Sequence, residues 1–232
     1  MNHKSFAKKM NNYTVLYVED DLSVRQYIAE FLRRYCKEVY ESDSAEEAIV
    51  LYHKHQPDIL LLDINLGGMS GVEFAEYVRQ KDKKTRILIS TAYSNKEFML
   101  AAIELNLTRY LIKPVTNEDL VKAFEKCSDE LEEASLIELG KGYVYSKNRA
   151  LVIHEENEMT LRNKEVEILE YFLEHEDEVV RYEQLEQGIW QDELMSRDAI
   201  RSQIRNIRKK VPAKLFQNIS GLGYKFSRNK DD

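Results

Sequence analysis

The 232-residue sequence is poor in most of the features that would fix its class at once. Its two cysteines, Cys36 and Cys127, are too few for a disulfide framework and lack metal-ligand spacing, so two reduced thiols are the simpler reading. Three prolines and eight glycines exclude a collagenous or proline-rich disordered chain. No apolar run approaches the roughly 20 residues that span a bilayer. Residues 1–10 are polar and basic without an apolar core segment, so no signal peptide is expected. The five histidines are scattered, and the nearest pair, His53 and His55, is expected on the surface rather than on a metal. No G-x-x-x-x-G-K-[ST] loop occurs, so no nucleotide site is expected.

Hydrophobic residues make up 43% and charged residues 32%, a balance typical of a globular protein, and the length suits one large domain or two ordinary ones. The net charge of −7 is unevenly spread. From Ser196 onward ten Lys and Arg face three Asp, so this end carries +7 and the remainder −14. Such asymmetry points to two jobs in two places.

The first half alternates between two periodicities. Short apolar runs, Val15-Leu16-Tyr17-Val18, Ile59-Leu60-Leu61-Leu62, Ile87-Leu88-Ile89 and Tyr110-Leu111-Ile112, with a weaker Val39-Tyr40, fit strands buried on both faces. Between them the spacing is helical: Val24, Ile28, Phe31, Leu32 and Tyr35; then Ala45, Ala48, Ile49 and Tyr52; then Phe98, Ala102, Ile103 and Leu105. The expectation is an α/β doubly wound domain with a five-stranded parallel sheet. Its strands end in Glu19-Asp20-Asp21, Asp63, Ser90-Thr91 and Lys113-Pro114. Any one of these could be a solvated strand end, but all four converge on the edge where open parallel sheets bind ligands. Clustered carboxylates repel and call for a cation, and oxygen-only donors suit Mg²⁺. Beside Mg²⁺, with Lys113 and Thr91 as donors, the Asp63 carboxylate is placed to carry a phosphoryl group. Asp20 would ligate the metal directly, Glu19 directly or through water, and Asp21 would cap the next helix.

These residues, in this order and spacing, resemble the receiver domain of two-component response regulators over about residues 12–133. The resemblance implies that Asp63 is the phosphoacceptor, that the Asn65 main-chain carbonyl joins the Mg²⁺ ligands, and that Thr91 and Tyr110 form the switch pair. It implies a sensor histidine kinase as partner. Gly67-Gly68 stand where such domains often carry Pro, which predicts a looser loop, and Gly71 stands at the family's turn glycine. Arg109 and Ala123 replace charges that help pair receivers in the OmpR/PhoB subfamily, which weakens the case for that charge-paired dimer.

The second half reads differently. An acidic amphipathic helix from Glu118 to about Leu136 leads to Gly140-Lys141-Gly142, taken as the boundary. Tyr143-Val144-Tyr145 and Leu151-Val152-Ile153 look like strands. Thr160 is expected to cap a helix bearing Val166, Ile168, Leu169 and Phe172. Residues 179–190 read as a second helical segment, with Trp190 expected in the core. Residues 198–211 are expected to form a helix with Ile200, Ile204, Ile207 and Val211 inward and Arg201, Ser202, Arg205, Asn206, Arg208 and Lys209 outward. A basic helix alone could dock on the acidic remainder of the chain, but a Gly-turned hairpin at 219–226 follows it. Helix, helix, basic helix and hairpin make a winged helix-turn-helix. Leu161-x-x-x-Glu165, Ile204-x-x-Ile207-Arg208-Lys209-Lys210 and Gly221-x-Gly223-Tyr224 resemble the effector domain of OmpR/PhoB-type regulators. That implies double-stranded DNA contacts from Arg201, Ser202, Arg205, Asn206, Arg208, Lys209, Ser220 and Lys225, and an RNA polymerase contact. Asn206 suits adenine better than guanine, and Ser220 predicts a weak minor-groove contribution.

The expected organisation is an N-terminal extension (1–11), a receiver (12–134), a linker (135–142), a winged-helix DNA-binding domain (143–228) and a tail (229–232). The expected function is a cytoplasmic, phosphorylation-controlled transcription factor, dimeric when active and not a turnover enzyme. The alternative is a phosphorylation-independent DNA-binding regulator with a constitutive receiver. A phosphohydrolase is disfavoured, because Asp63-Ile64-Asn65 lacks the second acid of an Asp-x-Asp pair.

Overall fold

The computed structural model describes residues 3–92, 105–190 and 196–228, and the chain divides into two compact units, Met1–Glu133 and Ala134–Asp232. In the first, strands β1 (Thr14–Val18), β2 (Glu38–Ser42), β3 (Ile59–Asp63), β4 (Arg86–Thr91) and β5 (Arg109–Ile112) form a parallel sheet in the order β2-β1-β3-β4-β5. Helices α1 (His3–Met10), α2 (Leu22–Arg33), α3 (Ala45–His55), α4 (Gly71–Arg79) and α5 (Asn117–Ala134) accompany it. Strand alternation splits each apolar run between two cores. Val15, Tyr17, Ile59, Leu61, Leu88 and Leu111 pack with α2 and α5, whereas Leu16, Val18, Leu60, Leu62, Ile87 and Ile89 pack with α3 and α4. Because both faces are covered, the strands read as unbroken apolar runs. The strand order reverses between β1 and β3, which places the ligand crevice outside their carboxyl ends.

Asp21 caps α2 as expected, its Oδ1 accepting from Ser23 N at 2.8 Å and Val24 N at 3.0 Å. Of the third helical face, Phe98, Ala102 and Ile103 lie outside the described residues. Within the expected N-terminal extension, His3–Met10 form a packed helix. Helix α1 buries Phe6 and Met10 against the core that holds Phe31 and Phe124, and Lys9 pairs with Asp129 of α5. Only two apolar residues four apart signal this helix, and its lysines mask them.

In the second unit, β6 (Leu136–Gly140), β7 (Tyr143–Ser146), β8 (Leu151–His154) and β9 (Asn157–Thr160) form an antiparallel sheet. Helices α6 (Asn163–Glu174), α7 (Tyr182–Ile189) and α8 (Arg197–Ile207) follow, with a three-stranded sheet of β10 (Val179–Arg181), β11 (Phe216–Ile219) and β12 (Gly223–Phe226) in the order β10-β12-β11. This is a winged helix-turn-helix preceded by a sheet.

Four boundaries move. The expected linker 135–142 is strand β6 and a hairpin turn, since Gly140, Lys141 and Gly142 all have positive φ and β6 pairs with β7. Thr160 ends β9, and α6 starts after Arg162, whose N–H donates to Glu165 Oε2 at 2.8 Å. Residues 179–181 are strand rather than helix. Helix α8 ends at Ile207 instead of 211, because Pro212 disfavours helical backbone at Val211 and the chain closes in turns before it. Ile200, Ile204, Ile207, Val211 and Trp190 are all core, as expected.

Candidate functional site

Odd-numbered positions of β1, β3 and β5 project to one side, so Glu19, Asp63 and Lys113 meet just past the strand ends. Lys113 Nζ donates to both Glu19 oxygens at 2.8 Å and to Asp63 Oδ2 at 2.9 Å. Glu19 is 1% exposed and Asp63 4%, while Asp20 is open to solvent. Ligating oxygens of Glu19, Asp20 and Asp63 lie within 4.8 Å of one another. Asp63 Oδ1 is buried without a hydrogen-bond partner. Three carboxylates thus face one ammonium. Burial pushes the Glu19 carboxyl up against the opposing pull of Lys113. For Lys113, burial acts downward, but the bonds to Asp63 and Glu19 prevail and raise it. An all-oxygen donor set with an orphaned buried carboxylate oxygen fits Mg²⁺.

The backbone around these groups is tightly held. Ile64 N donates to Ser90 O at 3.1 Å and Lys113 N to Thr91 O at 2.7 Å. Thr91 is fully buried. Tyr110 is half-buried opposite Ile89 on the neighbouring strand, packed on the α3–α4 side. Asn65 is exposed two residues beyond Asp63. The Gly67-Gly68 loop is anchored at its far end, where Glu46 of α3 accepts from Met69 N at 3.0 Å and Ser70 caps α4. Gly71 is the first residue of α4 rather than a turn glycine, and a Cβ there would lie 2.0 Å from the Asp63 carbonyl oxygen. Two contributors escaped the sequence reading. Arg25 donates to the main-chain carbonyls of Glu19 and Asp20, and Tyr17 Oη donates to Glu19 Oε2 at 3.2 Å. An arginine one turn into the helix after Asp21 was the available signal for the first. Ala123 is buried on the core side of α5, while Lys122 and Arg109 are exposed.

In the second unit Ser196 caps α8, its Oγ accepting from Ala199 N at 3.2 Å. With the isoleucines inward, Arg201 and Arg205 are exposed, and Ser202 and Asn206 are half-buried beside them. Arg197 and Arg201 lie 5.1 and 5.7 Å from the ring of Tyr182, and Arg201 also pairs with Asp198 at 3.0 Å. Lys209 is exposed, as is Ser220 at the wing tip, and Lys225 lies 3.8 Å from Asp177. Arg208 departs from expectation. It donates to Phe216 O and sits 5.7 Å from the Tyr224 ring, so it joins helix to wing instead of facing outward. Lys210 is likewise internal, bonded to the buried Glu165 at 2.6 Å and to Thr160 O at 2.8 Å. The wing glycines have separate causes: Gly221 turns at φ 76°, and a Cβ on Gly223 would lie 2.1 Å from Val180 O.

Comparison with known proteins covers both units. Residues 15–125 match the model of the response regulator receiver domain, and residues 156–226 that of the C-terminal domain of transcriptional regulatory proteins. The two-component response regulator PhoP of Pseudomonas aeruginosa is 30% identical over 221 residues, covering 92% of this chain and 97% of that protein. The phosphate regulon transcriptional regulatory protein PhoB of Escherichia coli is 25% identical over 224 residues, with the same coverage. Among solved structures, a response regulator receiver domain protein from Clostridium thermocellum aligns with a TM-score of 0.50 at 20% identity, covering 53% of this chain and 98% of that one, a likeness of fold. No helix among the described residues is long and apolar enough to cross a membrane.

Proposed function

The chain belongs to the two-component response regulators of the OmpR/PhoB type, transcriptional regulators controlled by phosphorylation, and on that premise we propose that Asp63 is its phosphoacceptor and α8 with the β11–β12 wing its DNA-reading surface. The observation that carries the reading is Lys113 bridging Glu19 and Asp63 while the other Asp63 oxygen is left without a partner. An Asp63 oxygen attacks the phosphorus of a phosphohistidine on a sensor kinase, or of a small acyl phosphate. The new O–P bond forms as the bond to the donor breaks and the donor leaves with its electron pair. Lys113 and the Thr91 hydroxyl neutralise and hydrogen-bond the equatorial oxygens. Glu19, Asp20, Asp63 and the Asn65 carbonyl would hold Mg²⁺, which when bound spreads the negative charge of the transferring group. The same site loses its phosphate slowly rather than turning over substrate.

Phosphate on Asp63 favours one of two pre-existing receiver conformations, with Thr91 and Tyr110 as the switch pair. Arg201, Ser202, Arg205 and Asn206 would read base edges, Lys209 and Lys225 would contact phosphates, and Ser220 would face the groove beside the wing. Arg208 is set apart from that group because one of its guanidinium nitrogens donates to the Phe216 carbonyl. A cytoplasmic location, a phosphorylated homodimer and an RNA polymerase contact complete the reading.

Its test is intact mass after incubation with acetyl phosphate and Mg²⁺. One phosphoryl adduct on the wild type and none on Asp63→Ala is the expected result. No adduct, together with DNA affinity unchanged by Asp63→Asn, would put the constitutive receiver in its place.

A further inference from the structure

Strand β1 carries a phenol among aliphatic neighbours. Tyr17 is fully buried with Val15, Ile59, Leu61 and Leu111, a space a phenyl ring would fill equally well. A buried hydroxyl needs a partner, and this one finds Glu19 Oε2 at 3.2 Å. Residues two apart on a strand share a side, so Tyr17 reaches forward along β1 to the edge where the acids cluster. Glu19 therefore has two anchors of different kinds. One is the Lys113 ammonium, which it shares with Asp63. The other is the Tyr17 hydroxyl, which donates to Glu19 Oε2. A cation arriving at the carboxylates competes with the ammonium for the same oxygens, whereas the neutral Tyr17 hydroxyl, which shares Oε2 with Lys113, does not repel it.

We propose that Tyr17 is a positioning residue of the acidic site: its hydrogen bond holds the buried Glu19 carboxylate in place to receive a divalent cation together with Asp63, independently of Lys113. The inference rests on the reading of Asp63 as the Mg²⁺-dependent phosphoacceptor. Partners behind a ligating group commonly set metal affinity, and losing one costs about 10- to 100-fold.

The experiment is a Mg²⁺ titration of the full chain followed by amide NMR shifts, for wild type, Tyr17→Phe, Glu19→Gln, the double variant and Asp63→Asn. Thermal melts without metal check that Tyr17→Phe, which keeps the ring, retains the fold. The expected result is a Mg²⁺ Kd raised about tenfold in Tyr17→Phe, with no further loss when Tyr17→Phe is added to Glu19→Gln. Wild-type affinity in Tyr17→Phe, or a loss of equal size with and without the Glu19 carboxylate, overturns the role of Tyr17 while leaving the phosphoacceptor reading intact. Wild type that binds no Mg²⁺, or Asp63→Asn that binds as wild type does, overturns the site reading and the Tyr17 role with it.

Discussion

A methyl group on residue 71 would sit 2.0 Å from the carbonyl oxygen of Asp63, a contact no rotamer change can relieve because both partners are backbone. Gly71→Ala must push α4 away from the phosphoacceptor's own peptide. The expected outcome is a loss of about 1–3 kcal/mol, typical of overpacking, read by thermal denaturation, with slower adduct formation from acetyl phosphate at temperatures where the variant is folded. Glu165 and Lys210 make the opposite case, a buried pair in which removal is the damage. Glu165 is 1% exposed and Lys210 only partly covered, so Lys210→Met should cost about 3 kcal/mol, the low end for an orphaned buried charge. At temperatures where it is folded, DNA affinity should stay near wild type. Residues whose chemistry lies at strand ends were legible: Glu19, Asp20, Asp63, Thr91 and Lys113 follow from where apolar runs stop. Residues acting through one side-chain contact were not. Nothing in the spacing of Arg208 and Lys209 tells that the first turns toward the wing and the second toward solvent, and Tyr17 reads as one more apolar strand residue.

Among elements, helix α1 carries the most direct test. Phe6 and Met10 bury side chains worth about 1.5–3 kcal/mol each before the entropy of ordering α1 is subtracted. Removing residues 1–11 should therefore lower the receiver's thermal midpoint by several degrees and leave Tyr35, now edge-on to Phe6, newly exposed. Unchanged midpoints would show that α1 only rests on the core. The α4–β4 loop gives a pH dependence. Burial pushes the Asp82 carboxyl up, but Thr85 Oγ1, the N–H groups of Lys84 and Thr85, and Tyr52 Oη pull harder, so it ends below the usual range. A carboxyl depressed by folding stabilises above its unfolded value and loses that contribution as pH falls through and below the usual range. Asp82→Ala should lower the midpoint at neutral pH and flatten its decline in acid, measured by melts between neutrality and pH 3. Long periodic elements, the five parallel strands with α2 and α3, were readable because burial on a fixed face imposes a period. The misread ones, β6, β9 and β10, are short and bury at most one residue each. Gly140-Lys141-Gly142 carries the same punctuation whether it joins domains or two strands of a hairpin.

At the scale of the whole chain, the −14 and +7 of its two charge regions separate the phosphoryl chemistry from the nucleic-acid contact more sharply than any boundary. The folded arrangement refines that arithmetic. Of the basic end, Arg208 and Lys210 bond groups within the fold and Arg228 pairs with Glu176, so fewer cations are free to face outward than the sequence suggests. DNA affinity should therefore fall with salt less steeply than ten cations would dictate. Each phosphate contact contributes about 0.9 to the slope of log K against log salt. Lys209→Ala should weaken binding to every sequence alike and reduce that slope by about 1. Arg208→Ala should leave the slope unchanged and lower the thermal midpoint, because its guanidinium bonds the Phe216 carbonyl rather than a phosphate. Arg201→Ala should behave as neither: held against Tyr182 and facing outward, it should lose about 1–3 kcal/mol at one base position of the preferred site while binding to other sequences barely changes. Fluorescence anisotropy across a salt series, on one specific and one scrambled duplex, separates the three. A slope reduced by Arg208→Ala would mean that this arginine leaves Phe216 on binding and that the free fold understates the basic surface.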